Sequence, residues 1–301
     1  MSGWVASVEG TDAAPLVAAG LALMSAVAHA LFGALQKGRY DPWLMRGAID
    51  ISYGLMALPF ALLLWPLPDA ELALILVGVF VIHAIYKGFM GMAYSRAAYT
   101  VVYPVVRGLA PLITVVFAGI VFGEQFEPLQ WLGVAVLSGA IFALAGVNLR
   151  SASVGRAALQ AGLIFAALTG VMTAIYTTYD AYGIRATPDP FQFLVWFFVV
   201  DGLLLFPWIA LRRWRRMSPR PDPRVLLFRG WIGGCLGFVS FGAAMLATRL
   251  GAVGEAAVLR ETSTVFAALI GWAILKEPVG PLRAGLMALI AAGAVLVQVG
   301  G

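Results

Sequence analysis

The sequence predicts an all-α integral membrane protein with ten transmembrane helices, arranged as two inverted-topology repeats of five. Three observations lead there. Of the 301 residues, 61% are hydrophobic and only 12% are charged, against roughly 25% charged in a soluble globular domain. Apolar runs long enough to cross a bilayer core of about 30 Å, which takes about 20 helical residues, recur along the whole chain. Two blocks of the first half also realign, without gaps, on two blocks of the second half.

The runs fall at 14–36, 43–65, 71–95, 98–122 and 128–149, then at 157–180, 190–211, 225–247, 252–275 and 280–299. The breaks between them carry the Gly, Pro and Asp residues that punctuate helices, at Gly38 to Pro42, Pro66 to Asp69, Gly123 to Pro128, Thr187 to Pro190, Met217 to Pro223 and Glu277 to Pro281. Residues 1–13 are expected to form a short polar tail. They hold no Lys or Arg and so lack the charged start of a secretory signal. The first repeat then spans 14–150 and the second 151–301. The one cysteine, Cys235, lies in an apolar run. It reads as a small packing residue, since a lone cysteine excludes an intramolecular disulfide and argues against a thiolate metal site.

The net charge is +5, but its distribution is more informative than its sum. Ten helices put both termini on one side. The loops after helices 1, 3, 5, 7 and 9, with their flanks, hold 15 of the 20 Lys and Arg: Lys37, Arg39, Arg46, Arg96, Arg150, Arg156, Arg212, Arg213, Arg215, Arg216, Arg220, Arg224, Arg229, Lys276 and Arg283. The other side holds Arg185 and Arg249, and Lys87, Arg107 and Arg260 lie inside spans. Short cytoplasmic loops carry the excess of basic residues, so the expectation is both termini outside the cytoplasm. No basic face interleaved with aromatics speaks for a nucleic-acid partner.

The repeat is read from two alignments. Residues 96–129 on 249–282 match Arg96 with Arg249, Val105 with Val258, Arg107 with Arg260, Glu124 with Glu277, Pro128 with Pro281 and Leu129 with Leu282. Residues 41–60 on 189–208 match Asp41-Pro42 with Asp189-Pro190, Gly54-Leu55 with Gly202-Leu203, and Pro59 with Pro207. Both map helices 1–5 onto helices 6–10. Five is odd, so the second copy enters the membrane from the opposite face, an architecture shared by many carriers.

The segment PVVRGLAPLITVVFAGIVFGEQFEP and its second copy AAVLRETSTVFAALIGWAILKEPVGP, with the turns Gly123-Glu124 and Lys276-Glu277, resemble the drug/metabolite transporter superfamily in its ten-helix EamA-type form. The resemblance covers nearly the whole chain. It implies a secondary carrier, usually an exporter of amino acids or other metabolites, with phosphorylated compounds and drugs also moved by members. The chain departs from many members in its outward termini and in carrying Arg at both 107 and 260. Together with a composition rich in Ala, Gly and Arg, the resemblance implies a multi-pass protein of a bacterial inner membrane.

Ionisable groups inside spans are costly and usually face the bundle interior. Arg107 and Arg260 are repeat mates, each about 13 Å into its helix at a 1.5 Å rise per residue. They read equally well as anchors for a carboxylate or phosphate, which Arg binds as a fork, and as halves of structural ion pairs, Arg260 with Glu255 or Glu261. Pro104 and Pro111 free backbone carbonyls and kink a helix, for a site or for packing alone. His83 and Lys87, further candidates for the substrate site, share a face four residues apart. Lys87 is expected to snorkel toward the cytoplasm, and His83 either relays a proton or makes a helix contact, the second being slightly favoured. His29 is treated as His83 is, with less weight. Asp201 is the leading mid-span acid, with Glu255 and Glu261 as further proton-coupling candidates. Asp50 pairs with Arg46 at i, i+4, and Asp180 is placed at the outer interface. Tyr103, Tyr176 and Trp196 are candidate cavity aromatics, although most such residues are belt or packing residues.

Other classes of function find little support. There is no GxxxxGK[ST] loop for ATP, and no HExxH, GxSxG or ligand cluster for an enzyme. GFVSFG at Gly237 to Gly242 is one residue too long for a nucleophile elbow. No filter loop or ring of like residues suggests a channel. The mixture of mid-membrane bases and acids suits a zwitterion such as an amino acid, the aromatics a larger or aromatic one, and the paired arginines an acidic or phosphorylated metabolite as the alternative. No cofactor or metal is expected. The partners are a small-molecule substrate, the lipid bilayer and a proton as coupling ion, in a monomer or homodimer.

Overall fold

A computed structural model describes residues 3–36, 40–97, 99–150, 156–273 and 280–301. Lys37, Gly38, Arg39, Lys276 and Glu277, which entered the reading of loops and repeats, lie outside the described residues. Among the described residues every regular element is a helix. A short α1 (Gly3–Val8) precedes α2 (Ala14–Gln36), α3 (Pro42–Leu64), α4 (Ala70–Tyr94), α5 (Tyr99–Phe122) and α6 (Pro128–Arg150). The second half contains α7 (Arg156–Ala186), α8 (Pro190–Leu203) followed by α9 (Phe206–Arg216), α10 (Pro223–Leu250), α11 (Val253–Arg260) followed by α12 (Ser263–Ala273), and α13 (Pro281–Val299). Nine stretches among them are long and apolar enough to cross a membrane, with α8 and α9 counted as one. The tenth expected span is the pair α11–α12, each too short alone.

Local chemistry explains the boundaries. Asp41 caps α3 by accepting from the amides of Trp43 and Leu44, with Pro42 in the first turn. Asp189 caps α8 through the amide of Phe191, with Pro190 in the same place. The matched Asp-Pro dipeptides therefore do the same work in both halves: a carboxylate satisfies free amides, and a proline occupies a position that needs no donor. Gly123 ends α5 at φ 69°, a backbone conformation open to glycine at little cost. Helix α5 runs unbroken through Pro104 and Pro111.

Two interruptions were not expected. Helix α8 stops before Leu204–Leu205, and α9 restarts with Pro207 in its first turn, where the missing amide costs nothing. Helix α11 stops at Arg260. Its end tightens, with the Glu261 and Thr262 amides bonding the carbonyls three residues back, Val258 and Leu259, before α12 begins. The break falls in the second copy, not at the two prolines of the first.

The helices pack as a two-repeat arrangement requires. Helix α2 lies on α10 as α7 lies on α4, α2 meets α11–α12 as α7 meets α5, and α3 meets α10 as α8 meets α4. Three contacts join like with like, α5 against α11 and two close crossings: α3 against α8–α9, and α6 against α13. At the first crossing the matched glycines meet, since a Cβ on Gly202 would stand 2.6 Å from the Asp50 carbonyl and 2.9 Å from Gly54 Cα. At the second, a Cβ on Gly133 would stand 2.6 Å from the Gly293 carbonyl, and one on Gly293 2.7 Å from that of Gly133. Small residues that let backbones touch are how helices associate where lipid provides no hydrophobic drive. The junction at 151–155 lies outside the described residues.

The polar ends separate. At one end Arg213 pairs with Asp41 at 2.6 Å and Arg283 donates to Asn148. At the other, Arg249 holds Glu9 at 2.8 Å, Trp65 donates to Asp189, and Gln130 donates to Glu255 and to the Val297 carbonyl. Both chain termini therefore sit at the end of Arg185 and Arg249. The N-terminal tail is more ordered than a polar tail, because α1 buries Val5 in the main core and Glu9 is tied to α10. Large apolar side chains such as Leu16, Leu63 and Ile120 project outward, and the chain is a multi-pass membrane protein.

Candidate functional site

Four spans contribute to a buried charge cluster. Lys87 on α4 places its Nζ 2.7 Å from Asp50 Oδ2 on α3 and 2.7 Å from Asp201 Oδ1 on α8. It donates to the Asp201 carbonyl at 2.9 Å as well. Arg46 Nε stands 2.6 Å from Asp50 Oδ1, and its Nη2 donates to Tyr53 Oη at 3.0 Å. Tyr53 lies within hydrogen-bond reach of both Asp50 and Asp201. His83, one turn before Lys87, places Nε2 3.0 Å from Asp180 Oδ2 on α7 and Nδ1 3.6 Å from Asp201 Oδ1. All of these ionisable groups are under 10% exposed, so each charge depends on its partners rather than on water.

A second constellation surrounds the break between α11 and α12. Arg107 on α5 donates to Glu261 Oε1 at 2.7 Å. Arg260, although adjacent to Glu261, stacks over the Phe241 ring of α10 at 4.8 Å. Its Nε and Nη2, the second carboxylate oxygen of Glu261 and the hydroxyl of Thr264 are buried without hydrogen-bond partners. Buried polar groups are nearly always paired, so these atoms are exceptions, and Arg260 and Glu261 line a common cavity. A cavity of ≈ 20 Å³ lies there, lined by Arg260, Glu261, Pro111 and Thr173. Thr173 also lines a neighbouring cavity of ≈ 40 Å³ with His29, Tyr86, Tyr103, Arg107, Tyr176 and Phe241. His29 stacks on Tyr103 at 6.4 Å, and Tyr103 approaches Ser263 of α12 at 3.4 Å. The volumes suit one or two water molecules at most. A metabolite therefore requires the helices around Thr173 to part.

The two constellations touch. Tyr86 and Tyr176 line the larger cavity, and their rings pack on His83 at 6.3 and 4.7 Å. Arg46 of the charge cluster lines the same cavity. A larger apolar groove of ≈ 450 Å³ between α3, α9 and α10 is lined by none of the sequence candidates.

Of the residues singled out in the sequence, Arg107, Arg260, Glu261, Tyr103, Tyr176 and Pro111 surround the cavities, while His83, Lys87 and Asp201 form the charge cluster. Trp196 does not reach either: its indole donates to the Pro66 carbonyl at 3.1 Å and ties α8 to the turn after α3. Glu255 bonds Gln130 near the chain termini. Several expectations are corrected. Lys87 does not snorkel, because Asp50 and Asp201 hold it 2% exposed. Asp180 is not interfacial; it is 3% exposed against His83. Arg260 pairs with neither Glu255 nor Glu261, because Arg107 takes Glu261 from across the repeat. Asp50 does pair with Arg46, and with Lys87 in addition. Sequence reasoning missed Tyr53 and Phe241 altogether and gave His29 little weight. The repeat alignment held a signal for Tyr53, since it is the mate of Asp201, to which it bonds.

Residues 160–299 match the EamA-like transporter family, a stretch that lies within the second half of the chain. A solved crystal structure superposes with a TM-score of 0.72 at 17% identity, covering 96% of this chain and 98% of that one, which establishes a shared fold. No curated protein matches the sequence.

Proposed function

We propose that this chain, whose residues 160–299 match the EamA-like transporter family, is a secondary carrier of amino acids, those with aromatic side chains first. The carrying observation is the chain neighbours Arg260 and Glu261: two unpartnered guanidinium nitrogens and one unpartnered carboxylate oxygen, all buried, on two residues that line one cavity at a helix break. An α-carboxylate satisfies the first as a charge-assisted fork, and an α-ammonium satisfies the second. Tyr103, Tyr176 and Phe241 offer aromatic surface next to them. Interrupted helices at a midplane site and paired inverted repeats support alternating access between the two faces. The basic end that holds Arg213 and Arg283 lies opposite the chain termini. The positive-inside rule then supports extracytoplasmic termini, while a bacterial inner membrane and export as the direction are proposed by analogy with the transporter family that residues 160–299 match.

The test is counterflow of labelled L-phenylalanine in proteoliposomes loaded with unlabelled amino acid. Saturable exchange that is lost in Arg260→Gln supports the reading. Absence of exchange by well-inserted wild-type protein sinks it. The second reading, an acidic or phosphorylated metabolite, rests on Arg107 and Arg260 lining neighbouring cavities that share Thr173, so that a second negative charge can compete with Glu261 for Arg107. It predicts exchange of a dicarboxylate or organic phosphate in place of the amino acid.

A further inference from the structure

Both ring nitrogens of His83 face carboxylates. Nε2 is 3.0 Å from Asp180 Oδ2, and Nδ1 is 3.6 Å from Asp201 Oδ1. A neutral imidazole has one N–H, so it would turn a lone pair toward one of the two anions; an imidazolium gives each carboxylate a donor. We propose that Asp180, His83 and Asp201 form a buried proton-binding site that carries the coupling proton of transport.

The charges around the ring agree. From α3 come Asp50, Arg46 and Tyr53; from α4 itself, Lys87 and Tyr86; from α7, Asp180 and Tyr176; from α8, Asp201. Three carboxylates face two fixed cations, and a proton on His83 supplies the missing positive charge. Neither of the other two core arginines forms an ion pair with a carboxylate of this cluster, although the charge of Arg260 reaches Asp180. Arg107 is held by Glu261, and Arg260 makes no ion pair within 4.0 Å among the described residues. Buried charges are stable only in balanced sets, so the cluster binds a proton when closed and loses one once it is opened to water.

The position links that proton to the cavity. Tyr176 packs on His83 at 4.7 Å and Tyr86 at 6.3 Å, while both rings line the space beside Arg107 and Thr173. Parting the helices to admit a solute moves the two rings that close the His83 site on that side. Asp201 also bonds Tyr53, its repeat mate, so the site lies at the crossing of the two repeats, where rocking of one half on the other is felt. The transport arm of this inference rests on the carrier reading above; the protonation arm does not.

The sequence holds two histidines, which makes the experiment direct. Protein labelled with ¹⁵N-histidine is placed in lipid nanodiscs, and the His29→Gln variant assigns the His83 signals. The expected result is both ring nitrogens of His83 protonated at pH 7, and conversion to a neutral tautomer at that pH in Asp180→Asn. A single neutral tautomer in the wild-type protein at pH 6 overturns the proposal. In proteoliposomes, accumulation of L-phenylalanine driven by an imposed pH gradient is expected in the wild-type protein and is expected to be lost in His83→Gln protein that retains the wild-type melting temperature. Undiminished gradient-driven accumulation in that variant overturns the coupling role. Failure of the wild-type protein to exchange L-phenylalanine defeats the amino-acid reading and leaves the protonation result to decide the site.

Discussion

Arg107 on α5 and Glu261 at the end of α11 join the two repeats through one ion pair of 2.7 Å, while Arg260, the repeat mate of Arg107 and the chain neighbour of Glu261, is left with two unpaired donors. The asymmetry follows from the sequence. The first copy carries Gly108 where the second carries Glu261, so the core holds two arginines for one carboxylate. One arginine is held in an ion pair, and the other keeps two buried nitrogens without hydrogen-bond partners.

Stability separates these roles. Arg107→Gln leaves Glu261 charged and buried, and removing one partner of a buried pair costs about 3–5 kcal/mol. Arg260→Gln removes donors whose burial without partners already costs about 1–3 kcal/mol, so it is expected to leave stability unchanged or raised. Thermal unfolding in detergent micelles compares them. The double variant Arg107→Gln/Glu261→Gln should recover most of the loss. Equal destabilisation by the two single variants would contradict the assignment.

The crossing of α3 and α8 leaves no room for a side chain. Gly202→Ala pushes a methyl against the Asp50 carbonyl and Gly54 Cα, and overpacking of this kind costs about 1–3 kcal/mol. Gly88, also mid-helix, has no neighbour within 4 Å of the point where an added methyl group would stand, and a Gly to Ala exchange in an open helical site is worth roughly 0.5–1 kcal/mol of added stability. Opposite shifts in melting temperature for Gly202→Ala and Gly88→Ala are the expected outcome. A gain for both would mean that the repeats do not meet as closely as described.

Glu124 accepts from the amides of Val253 and Gly254 at 2.7 and 3.0 Å, capping α11 from the turn after α5. Losing a helix cap costs about 0.5–2 kcal/mol. Glu124→Ala is therefore expected to lower the melting temperature, and Glu124→Gln, which retains an acceptor, to lower it by less. The Gly-Glu turn noticed in the sequence thereby acquires a mechanical role: it fixes the start of the helix that ends at Arg260.

Much of the architecture was legible because membrane helices obey strong local rules. Apolar length located the spans to within a few residues at most boundaries. The Asp-Pro pairs marked two helix starts, and the matched glycines Gly54 and Gly202 marked the crossing where they touch. The extra turn and a half of α7 beyond Asp180 was not legible, because nothing from Ala181 to Ala186 resembles lipid-facing sequence. Its support comes from Arg185, which reaches the carbonyls of Thr248 and Gly251.

The charged residues divide along the same line. Sequence alone determined that Lys87, Arg107, Asp201 and Arg260 lie inside spans, and that all of them but Lys87, which was expected to snorkel, face protein, since hydrocarbon cannot solvate them. It also determined that the chain is helical and lipid-embedded, because hydropathy is a property of each segment by itself. Which acid answers which base was decided only by the tertiary structure. Lys87 finds Asp50 and Asp201, His83 finds Asp180, and Glu261 chooses Arg107 over Arg260, because these pairings depend on distances between residues 37 to 154 positions apart. No periodicity or motif encodes such distances; they exist only once the helices are packed.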